Sequence, residues 1–174
     1  TPPCRPALAR ALLSALPSAY CPDEKHAFDK ARNDQVAAVE QWTRDLLKEP
    51  QLIARLLPEL SAGDHRMVYE FGRFLAIHSQ RPLDWLDPIK AAAVGAPRDR
   101  RNNSMLVGYL TGLVAEHPNV VEQFKREAIA SQILASALVM ATASIGISEA
   151  DVELVIGGLR DNIVAPNALS IWTA

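Results

Sequence analysis

The sequence predicts an all-α fold: an array of antiparallel helical hairpins, with a compact helical bundle as the alternative. Three observations carry this. Apolar residues recur at helical spacing along the chain, and no run alternates as a strand does. The block LLKEPQLIARLLPEL, Leu46 to Leu60, returns 67 residues later as LVAEHPNVVEQFKREAI, Leu113 to Ile129, with one inserted residue. In both copies a helix ends in an acidic residue, a Pro-led turn follows and an amphipathic run begins, which is the self-similarity expected of helical repeats. Finally, Ser61/Asp64, Asn119/Glu122 and Ser148/Asp151 have capping-box spacing. There a side-chain oxygen accepts an orphan backbone N–H while the residue three positions on reaches back.

Taken in order, Arg5 to Leu16 reads as a short apolar helix stopped near Pro17, and a turn at Tyr20 to Asp23 precedes a long helical stretch to Lys48 that Asp34 divides. Val36, Val39, Thr43 and Leu46 form its apolar stripe. Pro50 opens the next helix, as Pro does at a first helical position, and Pro58 closes it. A helix from Ser61 to Ser79 should bury Met67, Val68, Phe71, Phe74, Leu75 and His78. Asp87 with Pro88 reads as cap and first residue of a short helix that Gly95 stops. After the polar stretch Pro97 to Asn103 comes Ser104 to Glu116, where Gly108 and Gly112, four apart, permit close approach of another helix. Asn119/Glu122 should open the following helix, Ala128 to Ile145 should run on to Gly146, and Ser148/Asp151 should open the helix carrying Val152, Val155, Ile156 and Leu159. A last segment starts near Pro166. The total is about nine helices, paired at roughly 30–40 residues, the range of helical-hairpin repeats.

At 174 residues with 49% hydrophobic content, the chain reads as one globular domain, with residues 97–103 as the candidate internal boundary. A net charge of −2 gives no general attraction to nucleic acid or anionic membrane. The chain opens on Thr1 without the pattern of a secretory signal, so it is expected to be a piece of a longer protein. Cys4 and Cys21 could form a disulfide, but two cysteines beside a good core fit a reduced protein, so the expected location is cytoplasmic. The run Ala128 to Ile147 nearly reaches the roughly 20 apolar residues of a membrane span. Its Ala and Ser content and Gln132 favour a helix packed among helices, and no membrane partner is expected.

Chemistry is sparsely signalled. The histidines His26, His65, His78 and His117 are scattered, and the nearest approach to a zinc set, Cys4, Cys21, Asp23 and His26, lacks paired CxxC or HxxxH spacing. His78 on an aromatic helix face reads as a core histidine, because a general base needs a positioned partner that the sequence does not identify. Asp84 and Asp87 read as caps and solvated carboxylates, and Gly157–Gly158 lacks the strand and phosphate pattern of a nucleotide loop. No catalytic, cofactor or metal residue is assigned. Arg98, Arg100 and Arg101 form the local cationic cluster, beside a helix N-terminus whose free N–H groups favour anions. They are the candidate anion- or partner-binding site, weighed against a solvated loop partly neutralised by Asp99.

The paired helices, short turns and degenerate repeat, over about Asp34 to Arg160, resemble an irregular HEAT-like or armadillo-like α-solenoid segment. The unit lengths vary, and the Pro and Asp/Arg positions that many HEAT repeats keep are missing. The combination RRNNSMLVGYLTGLVAEHPNVV is similar to helical C-terminal portions of large bacterial multidomain proteins, some with NTPase or nuclease modules elsewhere. The resemblance implies an interaction or scaffolding module that docks a protein partner or neighbouring domains of its own chain. The second reading is a nucleic-acid- or nucleotide-sensing helical domain using the arginine loop, and the third a self-contained helical enzyme.

Overall fold

The computed structural model describes residues 25–172, apart from Arg66 and the side chains of residues 25–28 and 171. The helix expected over Arg5 to Leu16, the turn at Tyr20 and Cys4, Cys21 and Asp23 lie outside the described residues, as does the side chain of His26. Eight α-helices are described: α1 Lys25–Leu46, α2 Pro50–Leu60, α3 Val68–His78, α4 Leu86–Gly95, α5 Ser104–Leu113, α6 Pro118–Ala128, α7 Ala135–Ile145 and α8 Glu149–Arg160. Two 3-10 segments, Pro82–Trp85 and Pro166–Trp172, complete the described chain. The fold is all-α, and a single isolated bridge, Ala62 to Arg101, is its only β pairing among the described residues.

Several boundaries differ from expectation for physical reasons. Asp34 is exposed and α1 runs through it unbroken. Pro58 lies inside α2: it removes the one hydrogen bond that residue 58 would give the Ala54 carbonyl, and burial of Leu57 and Leu60 still carries the helix two residues further. Ser61 is the C-cap of α2 rather than an N-cap, and α3 starts only at Val68, because Ser61 and Gly63 are committed to backbone bonds with Asn102 and Arg100. Asn119 and Asp87 sit within first turns, since Pro118 takes the first position of α6 and α4 begins at Leu86 straight after the 3-10 turn. Of the three capping-box spacings, Ser148/Asp151 alone forms the box. The apolar run after Ala128 breaks between α6 and α7, where Ser131 accepts the N–H groups of Leu134 and Ala135 and starts a new turn. Gly146, at φ 119°, ends α7 in the conformation only glycine adopts easily.

The tightest packing is between α3 and α5. Gly108 lies against the carbonyl of Tyr69, and Gly112 against the carbonyl of Arg73 and the Cβ of Ala76, so both helices advance together and run parallel. Gly72 faces the backbone of Met105 and Tyr109 from the other side. Around this seam are buried Phe71, Leu75, Met105, Leu106, Tyr109 and Leu110, with Trp42 of α1 5.2 Å from the Phe71 ring. The helices follow an alternate order. α1 packs on α3, α3 on α5, α5 on α7, and α7 on the C-terminal 3-10 segment. Among the even-numbered helices, α2 packs on α4, while α4 and α6 are linked by Lys90 to Glu127 at 3.6 Å and α6 and α8 by the ion pair of Lys125 with Asp151.

The two matched blocks have corresponding local geometry. Helices α2 and α6 both have 11 residues and a Pro start, and their N-cap residues Glu49 (φ −127°, ψ 65°) and His117 (φ −130°, ψ 52°) nearly coincide. Arg81 before Pro82 has similar angles, so the cap conformation alone follows from the proline. The burial register adds more: Ile53, Leu57 and Leu60 of α2 correspond to buried Val121, Lys125 and Ala128 of α6 at a constant offset of 68. The inserted residue falls in the turn, which spans Leu47 and Lys48 in the first corner and Val114 to Glu116 in the second.

Candidate functional site

The arginine loop is a junction. Arg100 donates its N–H to the Pro97 carbonyl at 3.0 Å, and the Arg100 carbonyl accepts from Gly63 at 2.7 Å. Asn102 donates its backbone N–H to Ser61 and its side-chain amide to the Gly63 carbonyl, both at 2.9 Å, while its Oδ1 accepts the N–H of Ser104 at the start of α5. Asn103, buried, donates to the Ser136 hydroxyl of α7 at 2.8 Å. The polar residues that mark a loop in sequence are thus the donors and acceptors that tie α2, α5 and α7 together.

The three arginines diverge. Arg101, half-buried, donates through Nε to the Ala93 carbonyl at 3.0 Å and through its terminal nitrogen to Ala96 at 2.8 Å and Val94 at 3.4 Å. It satisfies carbonyls at the end of α4 and places a cation at the negative end of the helix dipole. Gly95 does not have the positive φ of a left-handed stop, so this arginine supplies the closure that the glycine was expected to give. Arg100 is exposed on the Gly63 side, and Arg98 is exposed at the wall of a cavity. That cavity, about 520 Å³, lies between the loop, the start of α7 and the turn after α8. Ile133, Met140 and Ile163 give it apolar walls, and Gln132, Asn162 and Asn167 bring amides to it.

A second groove, about 610 Å³, lies between the end of α1, the end of α3 and the 3-10 turn. It contains His78, whose Nε2 is 2.9 Å from Oε1 of Glu40 on α1, with the imidazole stacked on Phe74. The partner that the sequence did not reveal is 38 residues upstream, and His78 is half-buried rather than in the core. The cations around the groove are engaged: Arg44 with Glu40 at 2.7 Å, Lys48 with Asp45 at 2.7 Å and Arg81 with Asp84 at 3.0 Å. Asp84 and Asp87 do not act as a pair, since Asp87 is bound to Lys90 at 3.0 Å. Gly157 and Gly158 are inside α8, with Gly158 packed against Ile129 and Val164.

Sequence reasoning missed the buried pair of Lys125 and Asp151, 3% and 2% exposed and 2.9 Å apart. Burial alone would push the Asp151 carboxyl up, but hydrogen bonds from the Ser148 N–H, Lys125 and the Ser148 hydroxyl outweigh it and hold the group below the usual range. Burial would likewise lower Lys125, and its bonds to Glu122 and Asp151 reverse this and raise it. The pair fastens α6 to the first turn of α8. No group of three or more metal-ligating side chains occurs among the described residues. None of the described helices is long and apolar enough to cross a membrane. Comparison with protein families, with curated proteins and with solved structures finds no match to this chain.

Proposed function

We infer that the chain is an interaction module: an irregular helical array, of the HEAT-like or armadillo-like kind in layout, that docks a protein partner or a neighbouring domain of its own chain. The observation that carries this reading is the alternate packing order, in which each odd helix rests on the next odd helix. Arrays built in this way expose extended surfaces on which partners are bound. The equivalent α2 and α6 corners support the same layout. The docking seat is the cavity beside Arg98, whose mixed walls and size fall in the range of ligand-binding clefts.

A random-peptide library displayed on phage and panned on the purified chain tests this. The reading expects selected peptides whose binding drops at least tenfold when Ala165, an exposed residue on the cavity wall, is changed to Trp to fill it. Failure to select any binder, or binders indifferent to Ala165→Trp, would contradict it. The exposed Arg98 and Arg100 also support the nucleic-acid reading, for which a labelled single-stranded oligonucleotide is the corresponding probe.

A further inference from the structure

The cavity beside Arg98 has a definite charge character. Among the described residues its charged lining is Arg98 and Arg101, with no carboxylate. In a chain of net charge −2 this positive site is local. Arg101 already donates to three carbonyls, so Arg98, exposed on the wall, is the cation that faces an arriving ligand. A guanidinium matches a carboxylate as a two-pronged donor. The rest of the cavity discriminates among anions. Gln132, Asn162 and Asn167 bring amides, which both donate and accept, and a peptide backbone offers both partners where a phosphate offers acceptors alone. Ile133, Met140 and Ile163, each half-buried, form an apolar surface, and a thioether such as Met140 adapts to different side chains.

We propose that this cavity binds an extended acidic peptide segment of a partner, seating one apolar side chain on Ile133, Met140 and Ile163 and pairing a neighbouring carboxylate with Arg98. The proposal rests on the docking reading above and adds the chemistry of the occupant. It requires an apolar residue and an acidic one close together in the bound segment, with the chain between them held by the amides at the wall.

The experiment uses the highest-affinity peptide from the panned library, synthesised with its acidic residue, with the matching amide, and with Lys in that place. Binding to the wild-type chain and to Arg98→Glu is followed by fluorescence anisotropy at two salt concentrations. The expected result is an acidic–apolar consensus, with a loss of about tenfold or more on the amide swap or on Arg98→Glu, as for a charge-assisted hydrogen bond. The Lys peptide should regain affinity for Arg98→Glu, which a merely structural role for Arg98 would not produce. Peptides blocked by Ala165→Trp yet indifferent to the carboxylate and to Arg98→Glu would overturn this proposal and leave the docking reading standing. Binders indifferent to Ala165→Trp would overturn both. A single-stranded oligonucleotide or inorganic phosphate that displaces the peptide and depends on Arg98 would reassign the cavity to a phosphate ligand.

Discussion

Lys125 occupies in α6 the position that Leu57 occupies in α2, and its ammonium lies 2.9 Å from the Asp151 carboxylate of α8. The same carboxylate accepts the N–H of Ser148 at 3.0 Å and its hydroxyl at 2.8 Å. One side chain thus completes a capping box and an ion pair, and fixes how α8 is set against α6.

Asp151→Ala leaves buried Lys125 with Glu122 as its remaining carboxylate and opens the capping box of α8, so it should cost up to about 3–5 kcal/mol. Chemical denaturation of the variant checks this. A loss under about 1 kcal/mol would show that the pair is solvated in solution, as for exposed pairs.

The pH dependence follows from the directions of the two shifts. Asp151 is held below its ordinary 3.8, so its contribution is present above that value and is lost as pH falls through the lower folded value. Lys125 is raised above 10.5, so its contribution is present below that value and is lost as pH rises through the higher folded value. Melting temperature against pH should fall at both extremes, and Asp151→Asn should flatten the acid limb. An unchanged acid limb in that variant would contradict the assignment.

The glycines should divide by what surrounds them. A Cβ at Gly108 would collide with the Tyr69 carbonyl, so Gly108→Ala should lose about 1–3 kcal/mol, more than the roughly 1 kcal/mol that Ala gains over Gly in a helix. Gly157 in α8 has nothing within 4 Å of that position, so Gly157→Ala should gain up to about 1 kcal/mol. Thermal melts of the two variants should shift in opposite directions.

Arg98 and Arg101 should also separate. Arg98→Ala, at an exposed position, should stay within about 0.5 kcal/mol. Arg101→Ala removes the donors to Ala93, Val94 and Ala96 and should cost about 1–3 kcal/mol. Equal stability of the two variants by urea unfolding would mean that the closure at the end of α4 contributes nothing.

Much of the fold was legible because its signals are local. Pro50 starts α2 through its own fixed φ, and the period-3.6 stripes mark the core faces of α1 and α2. The Gly108 and Gly112 spacing announced a close helix contact because only a missing Cβ allows one. Capping spacings were over-read at Ser61 and Asn119, since spacing does not say whether the helix has already begun or whether the backbone is bonded elsewhere. The break between α6 and α7 hides in a continuous apolar run. The arginine cluster stood out by charge, but the commitment of Arg101 to carbonyls five to eight residues upstream depends on tertiary placement. Lys125 beside Glu122 reads as an ordinary surface pair, and Asp151, its buried partner, is 26 residues away. The cavity draws on three separated segments, so its amide and apolar walls have no signature in any one of them.

Hydrogen–deuterium exchange of the chain with and without its highest-affinity panned peptide tests the docking claim most directly. The account predicts slowed exchange in the segments around Gln132 to Met140 and Asn162 to Ala168, which wall the cavity, together with the Arg98 loop. Protection confined to the groove around His78 and Trp85, or no protection at all, would contradict it.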